Sequence, residues 1–369
     1  MPRTVVLRPY EDRDLPGTLE LRPRVYPGWK DAGDAAWHIA VYEWLGRNPV
    51  EAPMHRWVLD DGGAIVGHLA AVPLAYRIGG ARVIAYTPTD YMALPGYGFH
   101  AVALMRTFFQ ATESYVACNV AGEVSKIEGL FGPRRVAGLH QAVKVLDLGR
   151  YPRLPSPLLR PLAGVASLGL RAVDAIRVRP PNGALDVREE DTATAFDPAF
   201  DRFFESAAAT IPCMPEKTAA FLRWRYGPGT PRPVRLLTAR DAGGSLHGYA
   251  MIRTTASADG FILDLMGEPG RRDVGRALLA EAIRRFWRDR AFVVRYRFLP
   301  STASPSTADL ARFGFRFPGA TRGVLPGARP ERQLELSIKL ADPASQAAAA
   351  APEHWSYNLG DGEASFWVP

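Results

Sequence analysis

Residues 90–96, DYMALPG, return 174 residues later as residues 264–270, DLMGEPG. Both stretches fit the pattern D-x-M-x-x-P-G, and each runs from an apolar strand through a glycine turn into a helix. Backbone N–H groups at a helix N-terminus, with glycine where a side chain would block approach, are typical of a site for phosphate groups. Since self-similarity of this kind indicates repeated architecture, the chain is predicted to contain two copies of a nucleotide-type domain.

The predicted elements follow the same order around both copies. In each half a strand and an acidic turn precede a helix and a hairpin, whose turn contains Gly-Gly at residues 62–63 and 243–244. The repeated motif then leads into a helix, predicted at about 99–112 in the first half and at 274–287 in the second. A further apolar strand follows each helix.

Composition divides the chain into four predicted segments: a first domain at 1–149, a linker at 150–184, a second domain at 185–340 and a tail at 341–369. The linker is rich in proline and arginine, and the tail begins with an alanine-rich stretch. We expect the tail to dock onto the domains, because an exposed end carrying Trp355 and Trp367 would be a liability in solution.

The linker contains an apolar segment, residues 158–178, that is predicted to be a helix. Two hypotheses fit it: a helix packed across both domains, or an amphipathic helix in peripheral contact with an anionic membrane surface. Most of the net charge of +7 lies here, since residues 149–183 carry six arginines and one aspartate. A basic excess confined to one stretch is unlike a nucleic-acid-binding face, so no nucleic-acid partner is expected.

Other features restrict the class of protein. Two cysteines, Cys118 and Cys213, are too few for a disulfide framework, and no Cys/His spacing is typical of a metal site. The first residues favour a strand over a signal peptide, and no uncharged run reaches the roughly 18 to 20 residues of a transmembrane helix. We therefore expect a cytoplasmic protein with reduced thiols and no metal.

Several phrases, together with this order of elements, resemble the GNAT acyltransferase fold taken twice, as in bacterial tandem GNAT proteins. Residues 7–14, LRPYEDRD, and 310–315, LARFGF, are similar to the opening and to a helix end of GNAT sequences. Residues 221–226, FLRWRY, and 355–362, WSYNLGDG, are similar to tandem members. The resemblance implies an α/β (α+β) fold of two consecutive GNAT-like domains, each a mixed, mostly antiparallel twisted sheet flanked by helices.

The resemblance also implies a co-substrate, acetyl-CoA or another acyl-CoA. In that family the fourth strand and the following helix bind the pantetheine arm and the pyrophosphate, and an asparagine after the fifth strand often contacts CoA. Carried onto this sequence, the cofactor-binding residues are Met92, Ala93, Leu94, Gly96, Tyr97, Gly98, Phe99, His100, Ala101 and Asn119.

The sequence departs from the family's loop pattern, Arg/Gln-x-x-Gly-x-Gly/Ala, in both halves. In the second half Asp273 stands where the family prefers glycine, and its carboxylate would repel a pyrophosphate unless neighbouring arginines compensate. Gly96 and Gly98 of the first half present no such conflict. The acyl-CoA site is therefore expected in the first half.

The implied reaction is an N-acyltransfer in which the thioester, most simply acetyl-CoA, gives its acyl group directly to a small-molecule amine. Asp90 is the predicted general base because the family often places its base on this strand, and Asp264 is its counterpart. The alternative is that each aspartate only binds backbone at a strand end. N–H groups of residues 92–94 are predicted to hold the oxyanion. The acceptor is expected over the early helices, where Trp29, Trp37, Tyr42, Glu43 and Trp44 cluster, although core packing explains most such residues.

Other hypotheses stay open. Residues 96–101, GYGFHA, match the dinucleotide pattern G-x-G-x-x-A, but they lie mid-domain instead of in an opening β-α-β unit. A FemAB-like aminoacyl transferase, acting on a cell-wall or polysaccharide precursor, would use the linker arginines to hold tRNA or a lipid-linked substrate. A ligand-binding protein with two degenerate sites would show no turnover. The duplication predicts a monomeric pseudo-dimer or a homodimer.

Overall fold

The computed structural model describes residues 5–28, 31–120, 122–150, 160–178, 185–318 and 332–365. The elements of the first half are, in chain order, β1 (Val5–Pro9), α1 (Leu15–Val25), α2 (Ala35–Gly46), β2 (His55–Asp61), β3 (Ala64–Ile78), β4 (Ala81–Ala93), α3 (Gly98–Ala111), β5 (Tyr115–Val120), α4 (Glu123–Gly129), β6 (Arg134–Gly138) and β7 (His140–Val145). The linker then forms α5 (Arg160–Arg177).

The second half repeats this order and adds a tail. Its elements are β8 (Asp186–Glu190), α6 (Pro198–Ala208), β9 (Cys213–Pro215), α7 (Ala219–Tyr226), β10 (Arg235–Arg240), β11 (Leu246–Thr254), β12 (Asp259–Gly267), α8 (Arg272–Arg288), β13 (Val293–Leu299), α9 (Thr307–Arg312), β14 (Leu334–Lys339), α10 (Pro343–Ala349) and β15 (Tyr357–Asn358).

Two mixed sheets organise the chain, each flanked by helices. The first has the order β1-β2-β3-β4-β5-β14-β6, with β9 on an additional part of β3. The second has the order β15-β13-β12-β11-β10-β8, with β7 on β13. Only the pairs β4–β5 and β12–β13 are parallel among the described strands. The predicted fold class, two GNAT-like domains with mostly antiparallel sheets, is confirmed.

The two sheets exchange strands across the segments predicted from composition. β14, from the second half, lies between β5 and β6 of the first sheet, pairing Leu336 with Cys118 and with Ala137. β7, from the first half, pairs along β13 of the second sheet, with Val143 opposite Arg295. With the boundary predicted from composition, each sheet therefore contains a strand from the other half.

The cores follow from the sequence pattern of these elements. On α3, Ala101, Leu104, Met105 and Phe108 recur at three- and four-residue spacing and face the first sheet. A large apolar cluster joins both halves, since Tyr76, Tyr249 and Trp355 belong to it together. Both Cys118 and Cys213 are buried free thiols. No helix among the described residues has both the length and the apolar character to cross a bilayer.

Candidate functional site

Strands β4 and β5 diverge at the carboxyl end of β4 and leave an opening between them. The two parallel strands pair only at Tyr86 and Tyr115, and the first copy of the repeated motif lies beyond that pair. Helix α3 begins at Gly98, shortly after β4 ends at Ala93. An extended ligand lying between the strands would therefore have one end at the N-terminus of α3.

A β-bulge interrupts β4 at the start of this opening. His68 of β3 pairs with Met92, whereas Ala70 pairs with Thr89, so β4 contains one extra residue here. Asp90 takes up the irregularity with a φ of 57°, in the left-handed region that non-glycine residues seldom occupy. Its side chain is only 4% exposed, so its charge requires buried partners.

Those partners come from three other elements. Arg22 of α1 forms an ion pair with Oδ1 of Asp90, and the hydroxyl of Tyr42 on α2 donates to Oδ2 at 2.8 Å. Burial alone would raise the pKa of Asp90, but the Arg22 guanidinium leads the interactions that outweigh it, and the pKa is lowered. A carboxylate stabilised in this way is a weak base, so the contacts favour a role in fixing the bulge.

His68 completes the network from the β3 side. Burial holds its pKa down to about 4, so the ring is neutral near pH 7. Nε2 lies 3.3 Å from Nε of Arg56, which can only donate, and Nδ1 lies 3.1 Å from the carbonyl oxygen of Asp90. Nε2 is therefore the acceptor and Nδ1 carries the proton that reaches Asp90. The Arg56 guanidinium is itself held between the rings of Tyr10 and Tyr42, at 3.5 and 3.8 Å from their centroids.

The loop after β4 leaves the first turn of α3 accessible. Gly96 has a φ of +93°, and a Cβ at Gly96 or Gly98 would meet nothing within 4 Å. Tyr97 stands at the N-cap position but gives no side-chain cap, and its hydroxyl instead donates to Asp61 at 2.7 Å. Phe99 is 87% exposed. The first helical N–H groups lack an intrahelical acceptor, which makes this turn suited to an anion.

The other predicted residues of this region have mixed surroundings. Met92 is buried and Ala93 half-buried, and both pair with β3. The N–H of Leu94 donates to the carbonyl of Val66 at 2.9 Å, so this donor is engaged within the sheet and unavailable to an oxyanion. His100 is half-buried on α3. Ala101 is buried, and its carbonyl accepts from the Tyr91 hydroxyl at 2.7 Å.

The tail supplies a carboxylate that the sequence reading did not single out. The N–H of Asp90 donates to Oε1 of Glu363 at 3.1 Å. Glu363 begins a short 3-10 turn, 363–365, that lies against β5, where a Cβ on Gly362 would come within 3.4 Å of the Cβ of Cys118. A residue from the far end of the chain thus reaches the opening of the first half. Trp355 of the same tail is fully buried, while Trp367 lies outside the described residues.

A second acid, Glu128, lies near Glu363 beside the end of β5. It is 3% exposed on α4 and accepts from the amide of Asn119 at 2.7 Å. Burial is the main reason that the pKa of Glu128 is raised to about 7, and the nearby charge of Glu363 raises it further. Asn119 thus positions the carboxyl group of Glu128. It also lies where the family resemblance implies a contact with CoA.

The equivalent opening of the second half is filled by the tail. β12 and β13 pair in parallel from Asp259–Val293 to Ile262–Tyr296 and then diverge, and β15 takes the place beside β13. There Asn358 donates to Oδ1 of Asp264 at 2.9 Å, and Lys217 donates to the same atom at 2.8 Å. Asp264 is fully buried, so the counterpart of Asp90 is sealed from any substrate.

The second copy of the glycine turn is filled as well. Gly267 and Gly270 donate their N–H groups to the carbonyls of Ala303 and Thr302, at 2.8 and 3.1 Å. A Cβ on Gly275 would already meet Pro305 at 3.6 Å. The loop around 301–305 therefore covers the N-terminus of α8.

Charge is a lesser obstacle there than the sequence suggested. Asp273 is paired with Arg271 at 2.7 Å, and this hydrogen bond lowers its pKa. Arg272 and Arg276 instead approach Asp309, at 3.0 and 3.9 Å. The second copy differs from the first mainly because the backbone of the loop around 301–305 occupies the glycine turn, and less because of repulsion by Asp273.

The early aromatic residues mostly pack. Trp44 stacks on Trp224 in the interface between the halves, and Trp37 lies beneath the guanidinium of Arg232, 4.8 Å from it. Tyr42 binds Asp90 as described, and Glu43 is exposed. Trp29 lies outside the described residues. The described part of the chain contains no cluster of three His, Cys, Asp or Glu side chains that could bind a metal ion.

Comparisons with known proteins agree on the fold. No protein-family model matches the sequence, and no curated protein matches it significantly. A tandem GNAT protein from the clavulanic acid biosynthesis pathway has a similar structure, with a TM-score of 0.54 and 15% identity over 92% of this chain and 99% of that one. Saccharomyces cerevisiae N-myristoyltransferase with bound myristoyl-CoA has a TM-score of 0.55 and 10% identity over 92% and 83%.

A further structure, from Enterococcus faecalis and given as a probable N-acyltransferase, has a TM-score of 0.53 and 9% identity. The match covers 80% of this chain and spans 65% of the length of that protein. At these identities the likeness concerns the fold: the chain has the GNAT fold twice, in the tandem arrangement.

Proposed function

We propose that the chain is an acyl-CoA-dependent N-acyltransferase, with acetyl-CoA as the simplest donor and a small amine as the acceptor. One contrast carries the proposal. The first copy of the repeated motif has an accessible glycine turn beside diverging strands, whereas in the second copy β15 and the loop around 301–305 occupy both places. The donor site is therefore assigned to the first half, and the second half acts as a partner that completes it.

The donor would lie along the divergence of β4 and β5. Its pyrophosphate fits the first turn of α3, where Gly96 and Gly98 leave the backbone accessible. Its pantetheine arm would run over β4, with the thioester near the bulge at Asp90. One neighbouring structure is named with reference to acetyl-CoA and another holds myristoyl-CoA, so rates of CoA release from a series of acyl-CoA donors would identify the acyl chain.

Two acids would handle the acceptor amine. Glu128 and Glu363 are close enough for one charge to raise the pKa of the other, and a pair of carboxylates attracts an ammonium group. With a pKa of about 7, Glu128 is suited to take the proton that the ammonium must lose before it attacks the thioester, directly or through a water molecule. Asp90, held by Arg22, would keep the bulge in shape without exchanging protons.

The reaction then needs no covalent intermediate on the protein. The amine nitrogen forms a bond to the acyl carbon while the carbon–sulfur bond breaks. CoA leaves as a thiolate, which takes the second proton that the nitrogen loses as it becomes an amide, and Glu128 releases the first proton to solvent. The N–H of Ala93, which points away from β3 because its neighbour Leu94 bonds to that strand, would stabilise the transient oxyanion.

Thermal stability with coenzyme A and acetyl-CoA tests the donor site. The native protein should be stabilised by both ligands. Gly98→Asp, which places a carboxylate in the proposed pyrophosphate site, should abolish the shift, whereas the matched control Gly98→Ala should retain it. Asp273→Ala should leave the shift unchanged. A larger shift in Asp273→Ala, or an undiminished one in Gly98→Asp, would contradict the assignment to the first half.

Turnover separates this proposal from the two competing hypotheses. Release of free CoA from acetyl-CoA, dependent on an added amine, supports the N-acyltransferase and excludes a ligand-binding protein without turnover. Absence of any CoA effect together with salt-sensitive tRNA binding would favour an aminoacyl transferase instead.

A further inference from the structure

The linker helix α5 lies against β7 and α8, with Ser167 and Asp174 turned inward. Ser167, which is buried, donates to Asp147 at 3.0 Å. Asp174 is 6% exposed and accepts from Nζ of Lys144 at 2.7 Å and from Nε1 of Trp287 at 3.0 Å. These hydrogen bonds fix which side of the helix faces the protein.

The opposite side of α5 is apolar and exposed. Five large side chains recur at three- to five-residue spacing on this face, and four of them are at least 66% exposed. They are Leu162, Val165, Leu168, Val173 and Ile176. A surface helix of a soluble protein normally shows the reverse arrangement, with its apolar stripe turned to the core. Single exposed apolar residues need no explanation, but a continuous stripe indicates an interaction surface.

The charges beside this stripe have one sign. Arg171 and Arg177 are exposed and, by helical geometry, lie on opposite edges of the stripe. The only acid on α5 is Asp174, whose charge is buried and paired with Lys144. Among the described side chains of the helix, the solvent therefore meets apolar groups flanked by guanidinium groups.

A cavity of about 470 Å³ opens beside the same helix. Leu148, Leu170, Val173 and Phe315 contribute apolar walls, and Arg177 and Arg316 contribute positive charge. Among the lining residues that the structure describes, Asp174 is the one acid, and Lys144 neutralises it. Apolar walls with guanidinium groups would suit a phospholipid, whose phosphate and acyl chains have the matching properties.

We propose that α5 lies flat on a bilayer surface that contains anionic phospholipid. The five apolar side chains would enter the boundary between headgroups and acyl chains, and Arg171 and Arg177 would contact lipid phosphates. A second copy of this chain is a poorer occupant. Two-fold pairing of α5 would place like-charged edges against each other, which opposes association. The proposal is independent of the acyl-transfer assignment.

Co-sedimentation of the full chain with vesicles tests this. Vesicles of phosphatidylcholine mixed with phosphatidylglycerol should bind the native protein, and phosphatidylcholine alone should bind it at least about tenfold more weakly. Leu168→Glu combined with Ile176→Glu should weaken binding to the mixed vesicles at least about tenfold. Arg171→Gln combined with Arg177→Gln should weaken it about tenfold and reduce its salt dependence.

Leu130→Glu is the matched control, since Leu130 is 69% exposed on a different surface and its substitution should leave vesicle binding unchanged. Circular dichroism verifies that each variant is folded, which is expected because the substituted side chains face solvent. Failure of the native protein to bind the mixed vesicles, or equal binding by the Leu168→Glu/Ile176→Glu variant, overturns the proposal. The proposal is also overturned if light scattering shows that the native protein is a dimer that binds no vesicles and that the Leu168→Glu/Ile176→Glu variant is a monomer. The apolar face would then be covered by a second copy of the chain.

Discussion

The indole rings of Trp44 and Trp224 stack at 4.9 Å with an angle of 11° between their planes, and each N–H donates to the carbonyl oxygen of the other residue. The two hydrogen bonds measure 2.7 and 2.8 Å. Trp44 belongs to α2 of the first half and Trp224 to α7 of the second, so the contact relates the halves by an approximate two-fold axis. Both indole N–H groups are therefore satisfied within a packed interface between the halves.

Trp44→Ala should destabilise the protein by about 3–5 kcal/mol, because it removes a large buried ring and leaves the carbonyl oxygen of Trp224 without its donor. Urea denaturation measures the loss. Glu43→Ala, at the exposed neighbouring position, should change stability by less than about 0.5 kcal/mol. Trp44→Ala and Trp224→Ala should not add in the double variant, since both remove the same contact; strict additivity would count against a mutual stack.

Glu128→Gln should stabilise the protein at alkaline pH. The pKa of Glu128 is raised from 4.5 to about 7, so its contribution to stability is complete below about pH 4.5 and is lost as pH rises through 7. Glutamine keeps the acceptor for Asn119 without a buried charge. The variant should gain up to about 3 kcal/mol at pH 8 and little at pH 4.5. Thermal unfolding measured across this pH range tests the prediction, with Glu113→Gln at an exposed position as the control. A gain in stability that did not depend on pH would contradict the argument.

Glu128 should also set the pH dependence of turnover. In the native protein kcat should rise with pH through about 7 as the carboxyl ionises, and Glu128→Gln should lower kcat by roughly 10²–10⁴ and remove that rise. Initial rates of amine-dependent CoA release measure both effects. An unchanged profile in the variant would place the proton acceptor elsewhere, and Glu363→Gln would be the next variant to compare.

Arg22→Met should cost about 3–5 kcal/mol, because it leaves the buried carboxylate of Asp90 without its ion-pair partner. Combining it with Asp90→Asn should recover much of the loss, since the second change removes the uncompensated charge. Chemical denaturation of the two variants provides the comparison. If the double variant were no more stable than Arg22→Met alone, the cost would lie in packing and not in charge.

Asn358→Ala should destabilise the second half by about 1–3 kcal/mol. Its amide donates to Asp264 and accepts from the Tyr296 hydroxyl, both at 2.9 Å and both buried. CoA affinity, which we assign to the first half, should not change. Calorimetry measures both the unfolding of the variant and its affinity for CoA, with Glu353→Ala at an exposed position of the same tail as the control. A loss of CoA binding in Asn358→Ala would mean that the filled site of the second half takes part in donor binding.

The sequence predicted the elements well because the signals for them are local. The apolar run of β3 and the spacing of apolar residues in α3 can be seen within a short window. The repeated motif further indicated that the domain occurs twice. Long-range pairing left no such signal. The apolar pattern of β7, like that of β14, does not indicate which sheet the strand joins. The exchange of these two strands could therefore not be predicted from the sequence.

The same limit applies to the site. Asp90, Gly96 and Gly98 were selected because they belong to a recognisable phrase. Arg22 and Tyr42 reach Asp90 from 68 and 48 residues away, and Glu363 reaches it from 273 residues away. A buried carboxylate demands partners, but the sequence does not say which of many distant charges will supply them.

The exchange of β7 and β14 has a consequence for synthesis. The strand that joins β5 to β6 ends at Lys339 of a chain of 369 residues. On the ribosome, therefore, the first sheet stays divided, with two unpaired strand edges, until β14 has emerged. The first sheet cannot mature ahead of the second half, and a messenger truncated anywhere before β14 would leave that sheet without the strand that joins β5 to β6.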